Sequence, residues 1–148
     1  SLKCKCECGE DFVIGHGTII SNKGTVYCEK CNKKLSNLER KTMLWLDKNK
    51  IEYIRQHKFI DCKNILPLPF DFYLPKYNMC IECDGEQHYR GDTQYDKTEG
   101  EFLLRLKRDD IKNEYCKEKN IKLLRIPFWD FNKNIYKQIL IDNILGQN

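Results

Sequence analysis

The sequence predicts an α/β sandwich, one mixed central sheet flanked by helices, preceded by a small metal-held module. Two observations carry that expectation. The hydrophobic periodicity reads, after the first thirty or so residues, as helix, three strands, helix, strand, helix, an order that packs helices against one sheet. Five of the nine cysteines fall within the first 31 residues, which sets that stretch apart from the rest. A chain of 148 residues is long enough for one domain with a real core plus an appendage. The expected division is a zinc-binding module at 1–34 and the main domain at 35–148.

The front module reads as a zinc ribbon. Cys6-Glu7-Cys8-Gly9 and Cys28-Glu29-Lys30-Cys31-Asn32 are two short-spaced pairs, separated by a spacer with Gly15, Gly17 and Gly24. Four thiolates from two tight turns suit a tetrahedral structural Zn²⁺, so Cys6, Cys8, Cys28 and Cys31 are the expected ligands. Cys4 is a rival for the first pair, and His16 could replace a cysteine. A zinc that only folds the module is the plain reading.

Ser36 opens a helix in which Leu38, Thr42, Trp45, Leu46 and Asn49 recur at helical spacing. Ser36-Asn37-Leu38-Glu39 is a capping box, which gives Glu39 a structural job. Glu39 also shares a stripe with Met43 and Leu46, from which it could reach a metal on the sheet; spacing favours the cap. Glu52 to Ile60 reads as a strand, and Asp61 to Pro69 as a loop.

Two further strand segments come next, Phe70 to Leu74 and Ile81 to Asp84, rich in aromatic and β-branched residues at alternating positions. If Lys76 and Tyr77 form a two-residue turn between them, Pro75 faces Asn78 and Asp71 faces Glu82. Alternation then sets Asp84 on the same face as Glu82, with Phe70, Phe72, Ile81 and Cys83 on the other, buried face. Acids gathered on one surface repel one another and raise each other's pKa unless a cation joins them. Hard oxygen ligands so placed suit Mg²⁺ or Mn²⁺.

Arg90 to Gly100 reads as an exposed loop, and Glu101 to Lys119 as a charged amphipathic helix ended by Lys119-Asn120. Ile121 to Ile126 is a short apolar strand, and a last helix carries Ile135, Ile139 and Ile144. The remaining cysteines, Cys62, Cys80, Cys83 and Cys116, are expected as small buried hydrophobes.

Composition limits the function classes. Charged residues make up 32% and hydrophobic ones 41%, with no apolar run long enough to cross a bilayer, so no membrane partner is expected. The first residues lack the pattern of a signal peptide, and the odd cysteine count favours reduced thiols in an intracellular setting. A start at Ser1 without Met leaves room for flanking domains. The net charge of +4 permits nucleic-acid binding without requiring it.

Acids on a strand pair with a histidine four residues beyond the last one fit metal-assisted hydrolysis of a phosphodiester. Asp71 and Glu82 would hold the cation, and His88 would take a proton from water or orient it. Asp109, or less readily Asp110, would fix the His88 tautomer from the long helix. Arg90, Arg105, Lys107, Arg108 and Lys112 are the candidates for phosphate contacts. Taken singly, each of these residues has a bland explanation: a solvated lysine, a turn Asp-Gly pair, a satisfied polar histidine.

The stretches Leu68-Pro69-Phe70-Asp71-Phe72-Tyr73-Leu74-Pro75, Ile81-Glu82-Cys83-Asp84-Gly85-Glu86-Gln87-His88-Tyr89, Arg108-Asp109 with Lys112 and Cys116, and Ile121-Lys122-Leu123-Leu124-Arg125-Ile126 resemble the nuclease core of the PD-(D/E)XK superfamily. Within it they are most similar to very-short-patch-repair endonucleases and phage homing endonucleases, over roughly residues 36 to 140. The resemblance implies a restriction-endonuclease-like fold and a Mg²⁺-dependent DNA endonuclease leaving 5′-phosphate and 3′-hydroxyl ends. It implies a site of Glu39, Asp71, His88 and Asp109, with Glu39 joining Asp71 and Glu82 at the metal. One departure stands out: the superfamily's usual lysine, two positions after the second acid, is Asp84 here. The alternatives are a nucleic-acid-binding module with a degenerate nuclease fold, for which Asp84 would be the mark, and a branched-DNA resolvase or repair nickase.

Overall fold

A computed structural model of the protein describes residues 2–5, 11–14, 35–89 and 98–146. The chain divides into two compact units, Ser1–Ile51 and Glu52–Asn148. The helix that begins after Ser36 therefore falls in the first unit, whereas the sequence boundary of 34/35 groups it with the main domain.

In the first unit β1 (Leu2–Lys5) and β2 (Asp11–Ile14) pair antiparallel, Leu2 opposite Ile14 and Lys5 opposite Asp11. Helix α1 (Asn37–Lys48) starts as expected: Ser36 Oγ accepts from the Glu39 N–H at 3.1 Å and donates to Glu39 Oε1 at 3.2 Å. Thr42, Met43, Trp45, Leu46 and Asp47 form its buried stripe.

The second unit is built on β3 (Ile54–Lys63), β4 (Pro67–Leu74), β5 (Met79–Asp84) and β6 (Lys122–Pro127), in the spatial order β3-β4-β5-β6. The first three run antiparallel as a meander; α2 (Glu99–Glu118) then crosses over and β6 returns parallel to β5. Two short helices, α3 (Phe128–Asn132) and α4 (Tyr136–Leu140), and a final π turn over Ile141–Leu145 close the unit. This is the expected mixed α/β sheet.

Several boundaries differ from the expected ones for physical reasons. β3 runs three residues further, and the loop expected at Asp61 to Pro69 shrinks to the hairpin tip 64–66. Pro67 and Pro69 are inside β4, where a proline would normally break the ladder. They are tolerated because the β3–β4 register shifts between Lys58 and Lys63, so the absent N–H groups coincide with an irregularity. Phe128–Asn132, expected only to lead into the last helix, is a short helix of its own, and the helix after it starts at Tyr136 with Ile135 as its N-cap.

Three helices share one ending. The N–H of Ile51 bonds back to Leu46 O at 3.0 Å, that of Ile121 to Cys116 O at 2.8 Å, and that of Ile135 to Asp130 O at 2.8 Å. Each comes after a residue with positive φ, Lys50, Asn120 and Asn134, which gives a Schellman motif with an apolar residue after the turn.

The β4–β5 register is the expected one: Leu74 opposes Met79, Tyr73 opposes Cys80 and Phe72 opposes Ile81. The turn differs. Pro75–Tyr77 is a single 3₁₀ turn closed by Asn78 in the left-handed region at φ 46°, and the Tyr73 hydroxyl donates to Asn78 Oδ1 at 2.9 Å. Burial differs as well. β5 is covered on both faces, because α2 lies across the one that carries Cys80 and Glu82. Cys62, Phe70, Cys80 and Cys116 cluster there with Ile111 and Tyr115 of α2. Phe70 therefore departs from the alternation that would put it on the opposite face. None of Cys62, Cys80, Cys83 and Cys116 forms a disulfide, and all four are buried.

Candidate active site

The site forms where β4 and β5 part. Beyond Phe72 and Ile81 side chains replace the backbone ladder: the Asp71 N–H donates to Glu82 Oε1 at 2.9 Å, and the Cys83 N–H donates to Asp71 Oδ2 at 2.7 Å. Each acid satisfies the strand that the other belongs to. The two carboxylates are thus held next to each other by neutral donors, which lowers the cost of two like charges at that point. On the third strand Gln56, at φ 51°, lies between the pairs Arg55–Phe72 and His57–Phe70. Its Nε2 reaches Asp71 Oδ1 at 3.5 Å. A non-glycine residue in that region is uncommon and here it faces a candidate ligand.

The acidic face is not open to solvent, as alternation alone would leave it, for Glu82 and Asp84 are each only 3% exposed. Buried carboxylates need partners, and the helix and β6 supply them. Lys112 Nζ lies 3.0 Å from Glu82 Oε2 and over the Phe70 ring, 5.3 Å from its centroid. Arg125, which pairs with Glu82 along the parallel β5–β6 ladder, turns its Nη1 to Asp84, 3.0 Å from Oδ1 and 3.3 Å from Oδ2. Burial pushes the Asp84 carboxyl above its usual value in spite of that guanidinium. The same burial works against the Arg125 charge, but Asp84, Asp109 and Glu82 outweigh it and raise its pKa.

His88 ends the short 3₁₀ turn Glu86–His88 that Gly85 introduces after β5. Its Nδ1 lies 2.8 Å from Asp109 Oδ2 on α2 and 3.8 Å from Asp84 Oδ1. Since the carboxylate can only accept, Nδ1 carries the proton, and Nε2 is left with the lone pair that a general base needs. Burial alone would raise the Asp109 carboxyl. The hydrogen bond with His88 and the charges of His88, Arg125 and Lys112 overcome it and hold Asp109 below its ordinary range. Arg125 Nη2 donates to the Asp109 backbone oxygen at 3.4 Å and forms an ion pair with its Oδ1 at 3.6 Å, while Arg125 Nε donates to Asn113 Oδ1 at 2.9 Å. Asp109, not Asp110, is the histidine's partner.

A cavity of about 820 Å³ opens beside this dyad. His88, Asp109 and Lys112 stand on its wall with Arg105 and Arg108, and the β3–β4 hairpin tip faces them. Lys107 and Asp110 instead border a second depression with Asp61 and Tyr115, so Lys107 does not share the His88 cavity. Among the described residues no three His, Cys, Asp or Glu side chains gather as a metal-binding group. Arg90, Cys6, Cys8, Cys28, Cys31 and His16 lie outside the described residues, and of Cys4 the backbone lies in β1. Glu39 belongs to the first unit, where it caps α1.

Arg125 is the site residue that the sequence pattern alone does not single out, since it sits in what reads as an apolar strand. A signal is present all the same: an arginine between Leu124 and Ile126 in a strand that must pack needs a carboxylate waiting for it.

Similarity to known proteins is slight. No family model matches the chain, and no solved structure matches it. A 61-residue stretch, 41% of this chain, is 31% identical to "Uncharacterized protein 307L" of Invertebrate iridescent virus 6 and covers 31% of that protein's length. Among the described residues, no helix is long and apolar enough to cross a membrane.

Proposed function

We propose that this protein is a metal-dependent DNA endonuclease of the PD-(D/E)XK type, with a restriction-endonuclease-like second unit. The observation that carries the reading is the His88–Asp109 pair, 2.8 Å apart, on the wall of a cavity that Arg105 and Arg108 also line. A general base with a fixed tautomer, an acid for a cation and cations for phosphate are the parts that phosphodiester hydrolysis needs.

The donor set suits Mg²⁺ or Mn²⁺ of the sparsely ligated kind, which takes one or two carboxylates and completes its shell with water and phosphate oxygens. Asp71 is the main ligand in this reading: each carboxylate oxygen has two lone pairs, so accepting an N–H leaves capacity for a cation. Glu82 is its neighbour, although Lys112 already shares one of its oxygens. When bound, the ion would neutralise the scissile phosphate and acidify a water. His88 Nε2 takes the proton, Asp109 orients the ring and stabilises its charged form, and Arg125 holds Asp109 and Asp84 together. Arg105 and Arg108, with Arg90 and Lys107 as further candidates, bind the phosphate backbone; Lys112 acts chiefly through Glu82. Cys6, Cys8, Cys28 and Cys31 are proposed to hold a structural Zn²⁺ in residues 1–34. An intracellular, virus-encoded setting is the proposed context, on the strength of the iridescent-virus match and of reduced thiols.

A second reading, a DNA-binding module without cleavage, draws on Glu82 and Asp84 each being engaged by a cation of the protein itself. Supercoiled plasmid with Mg²⁺ or Mn²⁺ separates the two. The endonuclease converts it to nicked or linear form, and Asp71→Ala and His88→Ala abolish the conversion. Binding without any metal-dependent nicking supports the module instead; equal nicking by both variants would remove these residues from the site.

A further inference from the structure

The cavity beside His88 has two unlike walls. One is the tip of the β3–β4 hairpin, where Ile65 and Leu66 are 87% and 75% exposed and lead into Pro67 and Pro69. The other is the α2 face, with Arg105, Arg108 and Lys112, along which Glu101 is the acid besides Asp109. Exposing two large aliphatic side chains at a hairpin tip costs stability and invites aggregation, so a partner that covers them is expected. An intact duplex is a poor partner for such a pair of walls. It presents phosphates and sugars on its outside and keeps the apolar faces of its bases stacked within. An unpaired strand presents both chemistries at once, base faces on one side and phosphates on the other.

We infer that this cavity receives an unpaired DNA strand, its bases against Ile65, Leu66 and the two prolines and its phosphates on Arg105 and Arg108, so that the preferred substrate is DNA opened next to the scissile phosphate. The inference rests on the endonuclease reading for what happens at His88, and on the two walls for what is bound. Strand-separated DNA enters with its backbone running past the His88–Asp109 pair. Perfect duplex reaches the dyad only after local opening, which the hairpin tip assists by occupying the space a stacked base would hold.

The test is fluorescence anisotropy with labelled oligonucleotides: a perfect duplex, the same duplex with a central unpaired bubble, and the single strand. Ca²⁺ replaces Mg²⁺ so that binding is read apart from cleavage. The bubble and single strand are expected to bind about ten-fold more tightly than the duplex, the range that base-face contacts supply. Ile65→Ser/Leu66→Ser removes that preference by weakening the bubble and the single strand to the level of the duplex, with the circular dichroism spectrum as a check on folding. Arg105→Ala/Arg108→Ala weakens all three. A 2-aminopurine in the bubble changes its emission on binding the unmodified protein and not the hairpin variant.

Equal affinity for duplex and bubble, no binding at all, or an unchanged preference in the hairpin variant overturns the inference. So does a hairpin variant that alters only the solution mass, since the tip is then a protein contact. Cleavage is scored separately in Mg²⁺ and Mn²⁺: preference for the bubble with no cleavage of any substrate keeps the groove and removes the endonuclease.

Discussion

Lys112 Nζ lies 3.0 Å from Glu82 Oε2, with the lysine side chain 12% and the glutamate 4% exposed, and this pair ties α2 to the middle of the sheet. Removing one partner leaves the other a buried charge without its counterion. Lys112→Ala is expected to cost about 3 kcal/mol, the usual effect of breaking a buried pair. Lys112→Met/Glu82→Gln, which removes both charges and keeps the volume, should recover most of the loss. Urea unfolding of the unmodified protein, Lys112→Met, Glu82→Gln and the double variant gives the coupling directly; a mild Lys112→Ala effect with no coupling would mean that Glu82 finds another donor.

The His88–Asp109 bond sets up a kinetic expectation. Asp109→Asn can still accept from Nδ1 but cannot stabilise the charged ring, and it can equally turn its amide to Nδ1 and reverse the tautomer. Plasmid nicking should fall about a hundred-fold or more, the scale of general base catalysis, while affinity for the same DNA in Ca²⁺ stays within about two-fold. Asp109→Glu should retain part of the rate. A parallel loss of binding and rate would instead mark Asp109 as a fold-maintaining residue.

Much of this architecture is legible in the sequence, and the misses have physical causes. Alternation predicts the β4–β5 register, and so sets Asp71 beside Glu82, because cross-strand partners depend only on where the turn is centred, and the 3₁₀ turn at Pro75–Tyr77 has the same centre as the two-residue turn expected. Lys119-Asn120 signals a helix end because asparagine tolerates the left-handed conformation that a Schellman motif requires. Phe70 goes to the wrong face under alternation because that rule assumes an unbroken ladder, and the β4–β5 ladder stops at Phe72, short of Asp71 and Phe70. Lys112 does not announce itself as the partner of Glu82, because that pair depends on the rotation of the helix over the sheet, and Arg125 does not announce itself as the partner of Asp84, because that pair depends on the register of the parallel β5–β6 ladder; sequence spacing encodes neither. The histidine and its carboxylate are legible because their chemistry limits what each can do.

Arg125 binds through a planar fork that a lysine cannot imitate, reaching both oxygens of Asp84, the backbone and side chain of Asp109, and Asn113. Arg125→Lys keeps the charge and loses most of those bonds, so a destabilisation of about 2 kcal/mol is expected from bonds to charged groups. Asp84→Lys, which introduces the lysine usual in the superfamily that the chain resembles, should do worse: it sets a second cation against Arg125 in a buried position, at about 3 kcal/mol or more. Thermal and urea unfolding check both, and a stable, more active Asp84→Lys protein would show that Asp84 is a decayed catalytic position and not part of an Arg125 clamp.

Asp84 and Asp109 also respond to acid with opposite signs, because the fold shifts their carboxyls in opposite directions. Asp109 is held below its ordinary value by His88 and Arg125 against the effect of burial. Its contribution to stability is therefore complete above the unfolded carboxylate pKa of about 3.9 and is lost as pH falls from there through its folded value. Asp84 is raised by burial, so the folded state binds a proton more readily than the unfolded chain does. Between that raised value and about 3.9, protonation of Asp84 favours the fold, and this partly offsets the loss from other acids. Below both values neither group contributes a slope. Urea midpoints measured from neutral pH down to about pH 3 should thus fall less steeply for Asp109→Asn than for the unmodified protein. For Asp84→Asn they should fall more steeply in the window just above the ordinary carboxylate value, because the compensating proton is no longer taken up. Parallel curves for both variants would mean that Arg125 and His88 do not divide the two acids in the way their distances indicate.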